Sequence, residues 1–516
     1  MDKKQELIGV ISEYELKEIF SQVKLGFEKE CLRVADSSIS NLSHPHDLGS
    51  PLCNEHITTD FSEAQLELIT PPLKGSHQSL EFLDNIHHFV SLNIKDEILW
   101  PLSFPPPITY EDDIRIAKYG SSNLGVFKEM YRKGLAKRYG KSMQAISGFH
   151  FNYSLPTDFW ESLIEVKKDE IIQFRSEIYL NILRNIFRLN WLILYFFGAS
   201  PIVTKSFLNK GGEIFQKFDE DSFYLPYATS LRMSDYGYCN SGRSSTYVSL
   251  NTMDSYISDL RLATITQDDN FKNVSDDFKS QLNANTLQIE DEYYAVARAK
   301  SNHYRSRRTS TNLSVSGIDF IEIRSLDLNP FYRNGIDSET IVFLKILLLY
   351  SLREPSELIN KDELEIINRN DSLVSKYGRK PNLKLIENNK EIFLKDWGLK
   401  ILDQLLPIAE EIDDQENKSI SIINSMKSKL NDSSQTLSGI MMDRLIYSNS
   451  SYTDFGNSIG AKNKNYYLGI KESSNPEWGN LQSKAIESRK EQKRLEQETQ
   501  ESGLTFERYK ADYFND

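Results

Sequence analysis

Cysteine is scarce in this chain. The 516 residues contain three cysteines and no CxxC pair, at Cys31, Cys53 and Cys239. Three residues are too few for a disulfide framework, and without paired thiols no thiolate zinc site is available. A reducing compartment, the cytoplasm, is therefore expected.

Long apolar runs and basic residues are also few. The most apolar stretch, residues 191–203, contains Gly198 and Pro201 and is shorter than the ~20 residues that a membrane span needs. It predicts a buried helix that ends at Gly198 instead. Lys and Arg number 61 against 74 Asp and Glu, a formal charge of -13. That balance argues against broad binding to nucleic acid or to an anionic membrane.

Three common sequence motifs are missing. No GxxxxGK[ST] and no GxGxxG occurs, so a nucleotide would be bound without a P-loop or a Rossmann fingerprint. HExxH is absent as well, which argues against a zincin, and no serine-hydrolase elbow is expected. Four histidines are expected at the surface: His44, His46, His87 and His88.

Helical and strand patterns follow one another irregularly along the chain. Apolar residues at three- and four-residue spacing predict helices over 5–22, 78–100, 126–139 and 168–197. Strict alternation predicts half-buried strands over 144–156 and 318–328. This mixed order favours an α+β fold with an antiparallel sheet over a doubly wound fold.

Three strand-like segments carry polar residues on one face and apolar residues on the other. Period two places together Glu28 with Glu30, His150 with Asn152, and Glu322 with Arg324. For each pair alone an ordinary solvent-facing strand is the simpler interpretation. Taken together they indicate an acidic cup, and carboxylates with one histidine favour a hard cation, magnesium or manganese.

The segment 57–72 adds three acidic residues. Asp60 stands where a helix N-cap belongs, and Glu63 follows three residues later as in a capping box. Glu67 lies among Leu66 and Leu68, so it either faces solvent or points from an apolar helix into a site. Phosphate would also need cations, and five residues are candidates: Lys128, Arg132, Arg232, Arg298 and Arg324. Lys128 is expected to be a surface charge.

Eight blocks of sequence resemble one family. They are GFEKECLRV (26–34), ITTDFSEAQLELITP (57–71), YGSSNLGVFKEMYRKGLAKRYG (119–140), QAISGFHFNYSLP (144–156), FGASP (197–201), YLPYATSLRMSDYGY (224–238), LQIEDEYYA (287–295) and IEIRSLDLNPF (321–331). In order and spacing the chain resembles the bacterial glutamate–cysteine ligases (γ-glutamylcysteine synthetases) of the long monomeric type.

The resemblance implies a glutamine-synthetase-like antiparallel catalytic sheet with surrounding helices, ATP as co-substrate and Mg²⁺, or Mn²⁺, in the acidic cup. Matched position by position, the family's metal ligands are Glu28, Glu30, Asp60, Glu67, His150 and Glu322. Its substrate-binding residues are Arg232, Gln144 and Asn152 for glutamate, and Tyr131, Tyr238 and Tyr294 around the cysteine carboxylate. Its catalytic residues, which act on the transferred phosphoryl group, are Arg324 and Arg132.

The same resemblance implies a domain plan. Residues 1–336 would hold the catalytic sheet core, its flanking helices and the site loops, among them a Gly- and Ser-rich region at 204–255. Residues 337–516 would form a mostly helical region packed on that core. From residue 484 on, the charge-dense sequence predicts a solvated helix and tail.

The expected reaction joins the γ-carboxylate of L-glutamate to the amine of L-cysteine through a γ-glutamyl phosphate, the first step of glutathione biosynthesis. Alternatives remain open: a related ligase with another amine acceptor, a metal-dependent phosphohydrolase that uses the same cup, and a non-enzymatic cation-binding protein. The family also implies a cytoplasmic monomer with glutathione as a feedback inhibitor and no nucleic-acid or membrane partner.

Overall fold

The computed structural model describes residues 15–161, 171–210, 212–237, 246–272, 280–302, 308–413 and 418–516. Tyr238 and Cys239 lie outside these ranges. Among the described helices none combines the length and the hydropathy needed to cross a bilayer.

A large antiparallel sheet forms the centre of the fold, which confirms the predicted α+β class. Its strands are β1 (Lys24–Ala35), β2 (Ser38–Ile39), β3 (Ile57–Thr59), β4 (Gln65–Ile69), β5 (Leu73–Lys74), β6 (Ile98–Leu99), β7 (Phe149–Ser154), β11 (Ala297–Lys300) and β12 (Phe320–Leu326). The main path runs β11-β12-β7-β1-β4-β3, and β2, β5 and β6 also pair with β1. Shorter strands lie elsewhere: β8 (Ile202–Thr204), β9 (Gln216–Lys217), β10 (Ser222–Tyr224), β13 (Lys384–Glu387) and β14 (Lys390–Phe393).

Helices surround this sheet. In chain order they are α1 (Leu16–Gln22), α2 (Ser76–Asn93), α3 (Asn123–Tyr139), α4 (Lys141–Gln144), α5 (Ile171–Phe197), α6 (Met253–Ile265), α7 (Asp269–Lys272), α8 (Thr309–Ser316), α9 (Ser338–Arg353), α10 (Lys361–Tyr377), α11 (Leu394–Ile412), α12 (Ser419–Asn431), α13 (Leu437–Ser448), α14 (Tyr452–Leu468), α15 (Trp478–Ser502) and α16 (Phe506–Asn515). The predicted helices over 126–139 and 168–197 are confirmed as α3 and α5. The helix predicted over 78–100 is α2, but it ends at Asn93, and residues 98–99 form β6. Of the helix predicted over 5–22, residues 16–22 form α1, and residues 5–14 lie outside the described residues. The apolar helix ends at Phe197, one residue before Gly198.

One face of the sheet is apolar and lies against α2 and α5. Phe27, Phe149, Phe151, Ile321 and Ile323 point to this side and are fully buried. Ring centroids of Phe27 lie 5.4 Å from Phe149 and 5.7 Å from Phe151. These residues alternate with the polar ones along each strand, so a single period-two pattern produces both faces.

The segment 57–72 is not helical, which corrects the prediction made for Asp60, Glu63 and Glu67. It folds as the hairpin of β3 and β4, because Leu66 and Leu68 alternate with Gln65 and Glu67 as on a strand. Glu63 caps no helix. Its carboxylate accepts hydrogen bonds from the backbone N–H groups of His44 and Lys118, at 2.5 Å and 3.0 Å.

The surface assignment is wrong for His87 and His88. Both side chains lie on the inner side of α2 and are buried. The ring of Tyr467 on α14 stacks on His87 with centroids 5.8 Å apart and lies 6.4 Å from His88. The helix α14 covers them, and a pattern within α2 alone does not show that second layer. His46 is exposed as predicted.

The two predicted domains share one apolar core in the described residues. Leu402, Leu405 and Ile423 of the C-terminal half belong to the same buried cluster as Leu25 and Phe27 of β1. The division at residue 336 stays a prediction. Helix α16 is not wholly solvated, which corrects the predicted tail: Tyr509, Tyr513 and Phe514 pack against Phe127 of α3.

Candidate active site

Strand register gathers the polar residues of the sheet on the face opposite α5. Glu30 of β1 pairs with Glu67 of β4, and Glu28 pairs with His150 of β7. On the other side Glu322 of β12 lies between Asn152 of β7 and Arg298 of β11. Residues far apart in sequence thus occupy neighbouring positions across five strands. The predicted pairs Glu28 with Glu30 and Glu322 with Arg324 are confirmed as sharing this face.

His150 lies among three carboxylates. Its Nδ1 is 3.3 Å from Glu28 and 3.6 Å from Glu322, and its Nε2 is 3.4 Å from Glu30. Asn152 donates a hydrogen bond from Nδ2 to the Glu28 carboxylate at 2.8 Å. This hydrogen bond holds Glu28 in place from the side of β7.

The cup concentrates negative charge away from water. Burial, followed by the neighbouring carboxylates of Glu28 and Asp60, raises the pKa of Glu67 well above its usual range. Burial and the charge of Glu30 raise the pKa of Asp60 to about 6. Both shifts arise because burial disfavours a charged carboxylate and the neighbouring carboxylates then repel it further.

Cations balance the far side of the cup. Burial works against the Glu322 carboxylate, but the charges of Arg324 and Lys300 outweigh it and hold the pKa of Glu322 well below its usual range. Arg324 Nη1 lies 3.0 Å from Glu322 and Lys300 Nζ lies 3.8 Å from it. Burial also raises the pKa of Glu28, yet the hydrogen bond with His150 lowers it overall.

This donor set fits a divalent cation. One ligand atom each of Glu28, Glu67 and His150 lies within 4.8 Å of the others. Carboxylate oxygens with a single imidazole are ligands that Mg²⁺ and Mn²⁺ accept. A cation among them would also relieve the repulsion that raises the pKa of Glu67.

A cavity of about 310 Å³ opens above the cup. Of the residues predicted for the site, those that line it are Glu28, Glu30, Asp60, Glu67, Tyr131, Arg132, Gln144, His150, Arg232, Tyr294, Glu322 and Arg324. Asn152 lies behind Glu28 rather than in the lining. Tyr238 lies outside the described residues. Lys128, expected at the surface, is half-buried in the lining, as α3 turns it inward.

The two predicted catalytic arginines, Arg132 and Arg324, make different contacts. Arg132 of α3 is tied to backbone carbonyls: it donates to Asp60, to Lys128 at 3.1 Å and to Thr59 at 3.4 Å. Its guanidinium lies 4.6 Å from the ring centroid of Tyr119. Arg324 instead lies against Glu322 inside the cup. Of the two, Arg324 is therefore closer to where phosphate charge would collect.

Tyrosine and glutamine side chains line the wall opposite the strands. The Tyr294 hydroxyl donates to Gln144 Oε1 at 3.3 Å, which joins the loop after the 290–292 turn to α4. Burial, followed by the nearby Tyr294, raises the pKa of Tyr131 well above its usual range. The Tyr131 hydroxyl therefore stays neutral and can donate a hydrogen bond to an anion.

Several lining residues escape the sequence analysis, and Lys300 and Tyr513 are two of them. Lys300 follows Arg298 by two positions on β11, so strand alternation could have placed it on the polar face. Tyr513 comes from α16 and offers no such signal, since its approach to Phe127 depends on how α15 and α16 fold back onto α3.

The fold and the site together define a class: an antiparallel sheet with a carboxylate-rich cup flanked by arginines, suited to phosphate chemistry at a divalent cation. Residues 8–374 match the family of glutamate–cysteine ligases. Relatives from several bacteria bear that name. One, from Pseudomonas savastanoi pv. phaseolicola, is 38% identical over 462 residues, covering 87% of this chain and 86% of that protein. Another, from Alcanivorax borkumensis, is 37% identical over 510 residues, covering 96% of each.

Solved structures agree with this result. The crystal structure of the glutamate–cysteine ligase of Francisella tularensis in complex with AMP matches with a TM-score of 0.89 and 32% identity, covering 97% of this chain and 99% of that one. A bifunctional glutathione synthetase from Pasteurella multocida matches with a TM-score of 0.71 and 26% identity, covering 89% of this chain and 55% of that one. The chain belongs to the glutamate–cysteine ligase family.

Proposed function

We propose that this protein joins the γ-carboxylate of L-glutamate to the amine of L-cysteine, with ATP converted to ADP and phosphate. The product is γ-glutamylcysteine, and the reaction is the first step of glutathione biosynthesis. One observation of the structure carries the proposal: the carboxylate cup and Arg324 share one cavity with Arg232, Tyr131 and Tyr294. A phosphoryl-handling centre thus adjoins groups that bind amino-acid carboxylates.

In this proposal the cup holds Mg²⁺, with Mn²⁺ as a second possibility. The ligands would be the predicted set: Glu28, Glu30, Asp60, Glu67, His150 and Glu322. The bound ion supplies charge neutralisation for the phosphate oxygens of ATP. The AMP bound to the Francisella enzyme supports a nucleotide site in this fold.

Activation of glutamate begins with its placement. Arg232 would bind a carboxylate of glutamate, with Gln144 beside it and Asn152 acting through Glu28. The γ-carboxylate oxygen attacks the terminal phosphorus of ATP, and ADP leaves. Arg324 offsets the negative charge that spreads over the phosphoryl oxygens, and Arg132 supports it from α3. The product of this step is γ-glutamyl phosphate.

Amide formation follows in the same cavity. Tyr131 and Tyr294, with Tyr238 predicted beside them, would hold the cysteine carboxylate through hydroxyl hydrogen bonds. The cysteine amine attacks the acyl carbon, and phosphate leaves. Because an acyl phosphate is also open to attack by water, the walls of the cavity must limit water at this point.

The deciding experiment measures ADP release by the purified protein with ATP, magnesium and L-glutamate, with and without L-cysteine. The product is identified by mass. Cysteine-dependent ADP together with γ-glutamylcysteine is the expected result. ADP that forms equally without cysteine would point to a phosphohydrolase, and turnover only with another amine would identify a related ligase.

The remaining expectations are proposals on the same basis. We propose a cytoplasmic monomer, inhibited by glutathione, without nucleic-acid or membrane partners. Light scattering during chromatography tests the monomer, and titration of glutathione into the ADP assay tests the inhibition.

A further inference from the structure

Asp327 is a buried carboxylate that the proposed reaction does not use. It follows β12 directly, three residues after Arg324, and is 4% exposed. The described residues that line the cavity include Arg232 and Arg324 but not Asp327. It can therefore reach a substrate only through a neighbour.

Hydrogen bonds fix both carboxylate oxygens of Asp327. Oδ2 accepts from the backbone N–H of Ala199 at 2.7 Å and from the Ser200 hydroxyl at 2.6 Å. Oδ1 accepts from the Ser230 hydroxyl at 3.0 Å. Asp327 thereby joins the end of β12 to the residue pair Ser200 and Ser230, which also form a parallel bridge.

Arg232 lies in the same segment as Ser230. Its backbone N–H donates to the Ser200 hydroxyl at 3.2 Å. In its guanidinium, Nη1 donates to the Leu326 carbonyl at 3.2 Å and Nη2 donates to the Arg324 carbonyl at 3.0 Å. Nη1 also lies 3.8 Å from Asp327 Oδ1. The end of β12 thus binds Arg232 with two carbonyls and one carboxylate.

The space for this guanidinium is narrow. A Cβ at residue 148 would collide with it, so only glycine permits the close approach at Gly148. The N–H of Gly148 donates to the Glu30 carboxylate at 2.7 Å. Arg232 therefore adjoins Asp327 and also Gly148, whose N–H binds the Glu30 carboxylate of the cup.

We propose that Asp327 is a positioning residue that holds Arg232 in the orientation in which it binds the carboxylate of the amino-acid substrate glutamate. This inference rests on the proposed function. Coulomb attraction to the cup would otherwise draw the guanidinium toward Glu30, where it could no longer meet an incoming carboxylate. Asp327 balances that attraction from behind, and Ser200 and Ser230 keep Asp327 itself in place.

The test compares Asp327→Asn with the wild-type protein. The substitution keeps the size of the side chain but removes its charge, and its amide N–H₂ cannot accept from the donors now held. We expect the KM for L-glutamate to rise at least tenfold while the KM for ATP changes less than threefold. Asp327→Glu, which restores the charge, should recover part of the glutamate affinity.

A matched control separates positioning from folding. Asp337→Asn makes the same change at the N-cap of α9, where the carboxylate accepts from Thr340 N–H at 2.7 Å. We expect this variant to lower the melting temperature without raising the KM for glutamate. If Asp327→Asn does not fold, Ser230→Ala removes one anchor of Asp327 and should raise the same KM more mildly.

A double variant completes the test. With Arg232→Ala already present, Asp327→Asn should add almost nothing to the KM for glutamate, because its effect passes through Arg232. Equal rises in the KM values for glutamate and ATP, or an unchanged glutamate KM in a folded Asp327→Asn protein, would overturn the inference. Failure of the proposed function is recognised separately, since the wild-type protein would then form no γ-glutamylcysteine.

Discussion

The two faces of the central sheet are formed by the same strands through the same alternation of side chains, yet they have different roles. One face buries Phe27, Phe151 and Ile323 against α2 and α5, and burial of such side chains drives folding. The other face buries carboxylates, and this burial, followed by their mutual repulsion, raises the pKa of Glu67. The comparison teaches that one strand pattern can serve both stability and chemistry, provided that each face meets a different environment.

Lys29 is a charged exception on the apolar face. Lys29 projects there between the positions of Glu28 and Glu30, and it is 4% exposed. Its Nζ lies 3.0 Å from His87 Nε2 and donates to the Arg333 carbonyl at 2.9 Å. Burial lowers the pKa of Lys29 to about 8. A buried charge on the apolar face therefore destabilises the fold. The charges on the polar face, in contrast, form the candidate active site.

The largest effect is expected on the polar face. Glu28→Gln should reduce magnesium-dependent turnover by about three orders of magnitude, since the loss of a ligand charge weakens both cation binding and phosphoryl transfer. The circular dichroism spectrum should match that of the wild-type protein, and the melting temperature should not fall. Glu81→Gln, an exposed position on α2, serves as the matched control. Wild-type turnover in the Glu28 variant would remove Glu28 from the cup.

The apolar face should respond in the opposite sense. Phe151→Ala leaves a cavity among Phe27, Phe149 and Ile323, and such truncations cost about 3–5 kcal/mol. The free energy of unfolding, measured in urea, should fall by that amount. The KM values of whatever fraction stays folded should hold within twofold. Phe393→Ala, at an exposed hairpin residue, should change stability far less.

Lys29 sharpens the comparison through pH. Because its folded pKa is about 8 and that of an unfolded lysine is near 10.5, the unfolded state binds more protons between these values. The buried charge of Lys29 therefore destabilises the fold below pH 8. This destabilisation decreases as the pH rises from about 8 to 10.5. Lys29→Met should abolish this increase of stability with pH. It should also raise the free energy of unfolding by about 1–2 kcal/mol at pH 7, which is the desolvation cost of the ammonium group less one hydrogen bond.

Urea unfolding of both proteins between pH 7 and 10.5 checks the prediction. Equal slopes of stability against pH in the two proteins would show that Lys29 remains charged in the fold through another contact.

The smallest effect is expected at the rim of the cavity, where α16 contributes Tyr513. Tyr513→Ala removes a ring 4.6 Å from that of Phe127 and opens one wall to water. We expect the KM of at least one substrate to rise three- to tenfold. We also expect some ADP to form without dipeptide, which the ratio of ADP to dipeptide measures. Tyr447→Ala, an 85% exposed residue on α13, is the control. A ratio equal to that of the wild-type protein would place Tyr513 outside the working cavity.

Much of the polar face could be predicted from local pattern. Alternation in GFEKECLRV and IEIRSLDL places Glu28 with Glu30 and Glu322 with Arg324, because successive side chains of a strand point to opposite faces. The same rule would have found Lys300. It failed for residues 57–72, where an apparent capping box hid the strand that carries Glu67.

Contacts between distant segments were beyond the reach of the pattern. His87 and His88 are buried because α14 lies over α2, and Tyr513 reaches the cavity because α16 folds back on α3. Asp327 and Ser200 meet across 127 positions of sequence. No periodicity encodes such meetings, since they depend on how whole elements pack.

The sequence by itself determined which side chains share a strand face and, through blocks of residues that resemble a family, which chemistry to expect. Only the tertiary structure decided which strands become neighbours, and so which carboxylates share one cup. The physical reason is that side-chain alternation is a local steric property of the backbone. The pairing of Glu30 with Glu67 and of Glu28 with His150 instead follows from strand register across the sheet.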